Sequence, residues 1–126
     1  RYAAPVGKRV PLHVTATGRA LLSQMAPADR ATILRRATFE RYTATTLMSA
    51  AAVEKEISRS LERGWFEGNG EFTEDLGGVA LPLQMPHRQF AVLVAGPVSR
   101  VKARWAELAG LIQKEIARNL REAAAA

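Results

Sequence analysis

The amino-acid sequence predicts an α+β domain in which an antiparallel sheet is flanked by helices. Apolar residues in the first half recur every three or four positions, as on amphipathic helices. The second half holds two apolar runs separated by a turn sequence at residues 86–89, as in a β-hairpin, and a last stretch returns to helical spacing. Three helices, three strands and a final helix give an α+β architecture, and 126 residues suit one domain.

Helices in the first half have recognisable starts and stops. One begins after small residues near residue 16, and the next runs from Pro27 to about Ala37, with proline in its first turn. Ser49 is a suitable N-cap for a third helix, and Gly64 supplies its stop. The apolar positions that recur every four residues in this third helix are Val53, Ile57 and Leu61.

The strands follow where the apolar period changes. Trp65 and Phe66 open an extended segment, and residues 79–83 form a second one, in which Pro82 predicts an edge position or a bulge. Residues 90–95 are continuously apolar, which predicts a strand buried on both faces. Ser99 then caps one long final helix with an apolar stripe at Val101, Trp105, Leu108, Ile112, Ile116 and Leu120.

Composition and charge restrict the functional classes. The net charge is +6 and the sequence pI about 10.5, with eight Arg or Lys against two acids in residues 1–41. No helix-turn-helix pattern and no basic run interleaved with aromatic residues accompanies this excess, so a solvated basic face is expected instead of direct nucleic-acid binding. Zero cysteines exclude disulfides and thiolate metal sites, and no apolar run reaches membrane-spanning length. We expect a cytoplasmic protein with no membrane partner.

A candidate anion site lies within residues 7–22. Pro11 favours an extended approach, and Thr15, Ala16, Thr17 and Gly18 keep side chains short where a helix should begin. The first N–H groups of a helix have no partner in the helix itself, and they face the positive end of its dipole. The site therefore suits a carboxylate or phosphate. The alternative is an ordinary capped helix start.

No catalytic constellation is evident. His13 and His87 are far apart in sequence; His13 is interpreted as a structural histidine or an orienter of a ligand, and His87 as a solvated turn residue. The acids near the glycines of residues 68–78 lack metal-ligand spacing, which favours a polar loop at the mouth of a pocket. Arg19 follows the candidate anion site and is expected to face solvent; the alternative is that it faces the pocket and assists anion binding. The sequence thus predicts no enzyme, no metal and no cofactor.

Several motifs together carry a family resemblance. The sequences GKRVPLHVTATGRALL, RGWFEGNGEFTEDLGGVALPL and FAVLVAGPVSR, with threonines between the first two, resemble the C-terminal effector-binding module of the IclR family of bacterial transcription regulators. The resemblance covers nearly the whole of residues 1–126. It implies a GAF-like (profilin-like) fold in a homodimeric or tetrameric repressor or activator. It also implies that the module's first strands and the winged helix-turn-helix domain that contacts operator DNA lie upstream.

The resemblance further implies an effector pocket. Ala16, Thr17 and Gly18 would present backbone N–H groups to a carboxylate. The remaining implied effector-binding positions are Tyr2, Gly68, Asn69, Leu76, Gly78, Leu93 and Ala95. Where some relatives have polar residues at Gly68, Leu93 and Ala95, this chain has glycine and aliphatic residues, so the expected effector is a small carboxylic acid with an apolar or aromatic body. An enzyme acting on small organic acids on a similar scaffold is the alternative function.

Overall fold

A computed structural model describes residues 5–125 of the chain. Its regular elements, in chain order, are a 3-10 turn (Leu12–Val14), α1 (Ala16–Leu22), α2 (Pro27–Arg36), α3 (Ala50–Arg63), β1 (Phe66–Asn69), β2 (Leu76–Met85), β3 (Arg88–Pro97), α4 (Val98–Lys102) and α5 (Trp105–Ala125). The strands form one antiparallel sheet in the order β1-β2-β3. The predicted α+β class is therefore confirmed.

The cross-strand register determines which residues lie on each face of the sheet. Phe66 pairs with Ala80 in β2, and Ala80 in turn pairs with Leu93 in β3. Residues two apart along a strand share a face, so Gly78, Ala80, Leu93 and Ala95 lie on one side, which also faces α1. The opposite side faces α4 and α5.

Pro82 lies in the central strand of the described sheet, but beyond the end of β1. The last pair between β1 and β2 is Phe66 with Ala80, so only β3 flanks β2 at Pro82. Strand β2 is locally an edge there on its β1 side. This arrangement agrees with the missing N–H group of proline, which excludes it from a fully paired position.

The prediction that residues 90–95 are buried on both faces is wrong for the described structure. Strand β3 is the outer strand of the sheet, and Leu93 is 46% exposed, with Phe90 and Val94 also exposed. Hydrophobicity alone indicates that a strand requires cover but does not identify the covering element.

Two apolar clusters occupy the two sides of the sheet. The cluster on the α1 side consists of Ala16, Ala20, Leu22, Leu34, Val53, Ile57, Phe66 and Ala80. The cluster on the α5 side consists of Val79, Leu81, Val101, Ala109 and Ile112. Helices α1, α2 and α3 thus build one core with β1 and β2, while α4 and α5 cover the other face.

Helix α3 has the predicted ends. The Ser49 side chain accepts a hydrogen bond from the Ala52 N–H at 3.0 Å, and Gly64 ends the helix with a left-handed φ of 100°. The prediction of a single final helix is wrong, because the helix is interrupted at Ala103 and Arg104. There the Arg104 N–H bonds the Val101 carbonyl three residues back, which tightens the turn between α4 and α5. No helix within residues 5–125 is long and apolar enough to cross a membrane.

Candidate functional site

The start of α1 shows how its backbone donors are used. Thr15 adopts an extended conformation, and its Oγ1 accepts a hydrogen bond from the Gly18 N–H at 3.0 Å. The Arg19 N–H bonds the Thr15 carbonyl at 3.0 Å. Among the described residues, the N–H groups of Ala16 and Thr17 have no partner. Two donors, not the three that the resemblance implied, therefore remain for an anion.

Gly18 has a packing role and does not offer its N–H group to a ligand. A Cβ atom at this position would lie 2.0 Å from the carbonyl oxygen of Leu12, so any other residue would collide with the backbone of the 3-10 turn. This close approach folds the 3-10 turn against the first turn of α1. Gly18 thereby shapes the site although its own N–H is already bonded.

A cavity of about 330 Å³ opens beside the start of α1. Its walls come from the segment before α1, the first turn of α1, the loop after β1, and strands β2 and β3. The apolar walls include Val10, Leu12, Val14, Ala16, Leu21, Phe72, Leu76, Leu93 and Ala95. The polar side chains are Lys8, Thr15, Thr17, Glu71 and Thr73. The cavity thus combines apolar walls with two unpartnered N–H groups, as small-molecule sites commonly do.

Eight of the ten residues expected at an effector site line this one cavity: Ala16, Thr17, Gly18, Gly68, Leu76, Gly78, Leu93 and Ala95. Asn69 is the exception among the described residues. Its backbone groups are bonded to neighbouring residues instead: its N–H donates to Glu71 Oε2, and its carbonyl accepts from the Thr45 hydroxyl. Tyr2 lies outside the described residues.

Arg19 does not face solvent, so that expectation is wrong. It is 0% exposed, and its Nη2 lies 2.8 Å from Oε1 of Glu71 and 2.9 Å from the carbonyl oxygen of Glu67. Its Nη1 lies 3.3 Å from the carbonyl oxygen of His13. Arg19 is three residues from Ala16 and three from Leu22, both buried, and this spacing could have placed it on the inner side of α1.

Threonines after α2 hold the loop that follows β1. The hydroxyls of Thr43, Thr45 and Thr46 donate to the three consecutive carbonyls of residues 69–71, at 2.7, 3.1 and 2.7 Å. Thr46 Oγ1 also accepts the Tyr42 and Thr43 N–H groups, which is the local capping expected from sequence. The long-range bonds were not predicted, because each spans 24 to 27 residues.

Phe72 and its neighbours form part of the cavity rim. The Lys8 ammonium lies 5.9 Å from the centre of the Phe72 ring, a cation–π distance. Tyr42 packs edge-on against the same ring, with centroids 4.9 Å apart. An aromatic surface with a nearby cation is thus present at the wall formed by the loop after β1.

His13 has a structural role and does not contact the cavity. It is buried, its ring packs on Phe39 with centroids 4.8 Å apart, and it does not line the cavity. Burial, and then the positive charge of Arg19, lower its pKa below the usual 6.5. A neutral imidazole in the apolar interior is therefore favoured.

The acidic residues near the glycine-rich loop do not gather into one site. Glu67 pairs with Arg63 at 3.2 Å and accepts from the Trp65 indole at 2.9 Å, whereas Glu71 pairs with Arg19. Across residues 5–125, no group of three or more His, Cys, Asp or Glu side chains is placed to hold a metal ion. Each of these two carboxylates therefore has a structural partner of its own.

Comparison with protein families identifies the family to which the chain belongs. The model for the bacterial transcriptional regulator IclR C-terminal family matches residues 1–124. The chain belongs to this family. It is 32% identical over 117 residues to the acetate operon repressor of Salmonella typhimurium, a match covering 90% of this chain and 43% of that protein. The chain thus spans less than half the length of this relative.

Two solved structures share the fold. The C-terminal domain of the Escherichia coli transcriptional regulator KdgR has a TM-score of 0.77 and 27% identity, covering 87% of this chain and 69% of that one. The inducer-binding domain of a double mutant of PobR from Acinetobacter, complexed with 3-hydroxybenzoic acid, has a TM-score of 0.77 at 20% identity, covering 96% and 73%. These proteins are named as transcription regulators and not as enzymes, which agrees with the sequence prediction.

Proposed function

We propose that this chain is the ligand-sensing and oligomerisation domain of an IclR-type transcription regulator. It binds a small carboxylic acid with an apolar or aromatic body, and this binding controls operator binding by a DNA-binding domain elsewhere in the protein. The observation that carries the proposal is the cavity of about 330 Å³ that combines apolar walls with the unpartnered N–H groups of Ala16 and Thr17.

The chemistry of the cavity supports an acid with an apolar body. The two N–H groups lie at the positive end of α1 and suit a carboxylate. Leu76, Leu93 and Ala95 offer no polar side-chain atoms to a hydrophilic ligand. Ligand hydroxyls buried against these three residues would have no partner and would each cost about 1–3 kcal/mol, which favours a hydrocarbon or aromatic body at this wall. The PobR neighbour shows that the same fold can hold an aromatic acid.

We further infer that the complete domain includes strands upstream of the described residues, as the resemblance implies. Strand β3 spans ten residues, is apolar over residues 90–95 and is largely exposed, and its outer edge has no strand beside it within residues 5–125. An unpaired apolar edge of this length favours pairing with another strand. The apolar groove between α5 and the sheet, about 500 Å³, is our candidate surface for association between subunits.

Removing one of the two N–H groups tests the proposed site. Thr15 has the extended conformation that a following proline requires, so Ala16→Pro places proline at the first position of α1, where it is tolerated. We expect this variant of the intact protein to lose at least about tenfold in affinity for benzoate-like acids. Isothermal titration with a panel of aromatic, aliphatic and hydroxylated acids measures the effect.

A matched control is available at the next capped helix. Ala50→Pro also places proline directly after an extended N-cap residue, Ser49, but away from the cavity. We expect Ala50→Pro to retain wild-type affinity. Equal losses in the two variants would contradict the assignment of the Ala16 N–H to the ligand. A preference for small hydrophilic acids over aromatic ones would contradict the proposed ligand class.

A further inference from the structure

A carboxylate forms part of the wall of the cavity proposed for an anion. Glu71 lines the cavity and its side chain is 10% exposed, whereas its partner Arg19 is 0% exposed. A lone carboxylate there would repel an acidic ligand, because the two negative charges would be separated by little water. The ion pair with Arg19 therefore bears directly on what the cavity can hold.

Both oxygens of Glu71 are already engaged. Oε1 accepts from Nη2 of Arg19 at 2.8 Å, and Oε2 accepts from the Asn69 N–H. Arg19 in turn bonds the carbonyls of His13 and Glu67, so its guanidinium is held by the backbone on both sides of the site. The pair is fixed in position, and its two opposite charges cancel beside the cavity.

We propose that Glu71 is a specificity-determining residue that limits the affinity of the cavity for anions by cancelling the buried charge of Arg19. This inference rests on the proposed function. With Glu71 in place, a carboxylate is held by the N–H groups of Ala16 and Thr17 and by its apolar contacts. Without the charge of Glu71, the buried positive charge of Arg19 would attract every carboxylate that fits the cavity.

The direction in which anion affinity changes when the charge of Glu71 is removed distinguishes this role from a purely structural one. Losing a structural contact lowers affinity along with stability. Losing a balancing negative charge raises affinity for anions even where stability falls. A unit charge that lines the cavity, at an effective dielectric constant of about 20, changes the affinity for a charged ligand by about one order of magnitude or more.

The test is Glu71→Gln in the intact protein, titrated with benzoate and with benzamide, its neutral counterpart. Glutamine keeps the size of the side chain and one acceptor oxygen. We expect benzoate affinity to rise about tenfold and benzamide affinity to stay at its wild-type value. Unchanged benzamide affinity reports that the shape of the cavity is intact. The reverse change, Arg19→Met, should weaken benzoate binding about tenfold or more relative to benzamide.

Glu54→Gln is the matched control. Glu54 pairs with Arg30 at 2.7 Å and lies away from the cavity, so its loss should leave both affinities unchanged. A folded Glu71→Gln variant whose benzoate affinity stays the same or falls overturns the inference. If Glu71→Gln does not fold, the double change Arg19→Gln with Glu71→Gln decides: benzoate affinity near wild type supports charge cancellation, and a large loss overturns it.

The outcomes for the two proposals are distinct. If the wild-type protein binds no acid of the panel, the proposed function fails. Glu71→Gln then still decides the charge inference, because a gain of benzoate binding supports it and no gain overturns it.

Discussion

The two faces of the sheet are built differently. On the α1 face, the apolar cluster is joined to a network of buried hydrogen bonds in which Arg19, Glu71 and Thr46 connect segments far apart in sequence. On the α5 face, the apolar cluster continues into an exposed groove, where Leu111 is 51% and Leu120 is 45% exposed. Polar connections are therefore concentrated beside the cavity.

This difference between the two faces matches two different requirements, ligand discrimination and subunit association. A cavity that discriminates between ligands requires walls held in one arrangement, and buried hydrogen bonds with defined directions supply this better than apolar contacts. A surface for subunit association requires exposed apolar area. The α1 face suits the first task, and the α5 face suits the second.

The largest expected effect is the difference in unfolding free energy between truncating an apolar residue on the α1 face and truncating one on the α5 face. Phe66 is 1% exposed in the α1-side cluster, and Phe66→Ala should lower the free energy of unfolding by about 3–5 kcal/mol through lost contacts and a cavity. Leu120→Ala, in the exposed groove, should change it by about 0.5 kcal/mol or less. Denaturant unfolding of both variants measures the contrast. Comparable losses would show that the groove is covered in solution, as the proposed subunit association requires, and that the contrast holds only for a single subunit.

An intermediate effect is expected at the threonines. Thr46→Val removes a buried hydroxyl that donates to the Glu71 carbonyl and accepts two N–H groups, so unfolding free energy should fall by about 1–3 kcal/mol. Acid affinity should fall as well, because the loop that carries Phe72, an apolar wall of the cavity, loses its attachment. Thr45→Val, which removes an exposed hydroxyl bonded to the Asn69 carbonyl and to the Thr43 hydroxyl, is the control and should cost about 0.5 kcal/mol. Equal effects at the two sites would argue against a specific role for Thr46.

Local patterns were sufficient to predict much of the fold. Ser49 and Gly64 act within one or two turns of the backbone, and both ends of α3 were predicted from them. The hairpin of β2 and β3 also depends on a short turn between apolar runs. The interruption between α4 and α5 was not predicted, because residues 103–104 include neither proline nor glycine.

The site was predictable where backbone and motif determine it. Gly18, Gly68 and Gly78 are positions where chain segments approach closely, and they line the cavity together with the small residues 15–17. The burial of Arg19 and the bonds from Thr43, Thr45 and Thr46 depend on partners 24 to 52 residues away. Spacing along one chain segment cannot indicate such partners. The exposed faces of β3 likewise depend on neighbours that its own sequence does not specify.

The smallest expected effect is a pH dependence that originates on the α1 face. The pKa of His13 is lowered in the folded protein by burial and by Arg19, so below pH 6.5 the unfolded chain binds more protons at this residue than the folded one. The contribution of His13 to stability is therefore complete above pH 6.5 and is lost as pH falls towards the lowered pKa. Denaturant unfolding at pH 7.5, 6.5 and 5.5 should show falling stability, with a smaller slope in His13→Phe, which keeps an aromatic ring against Phe39. An identical slope in the two proteins would show that His13 is protonated equally in the folded and unfolded states, and that the α1 face is less dry than its packing indicates.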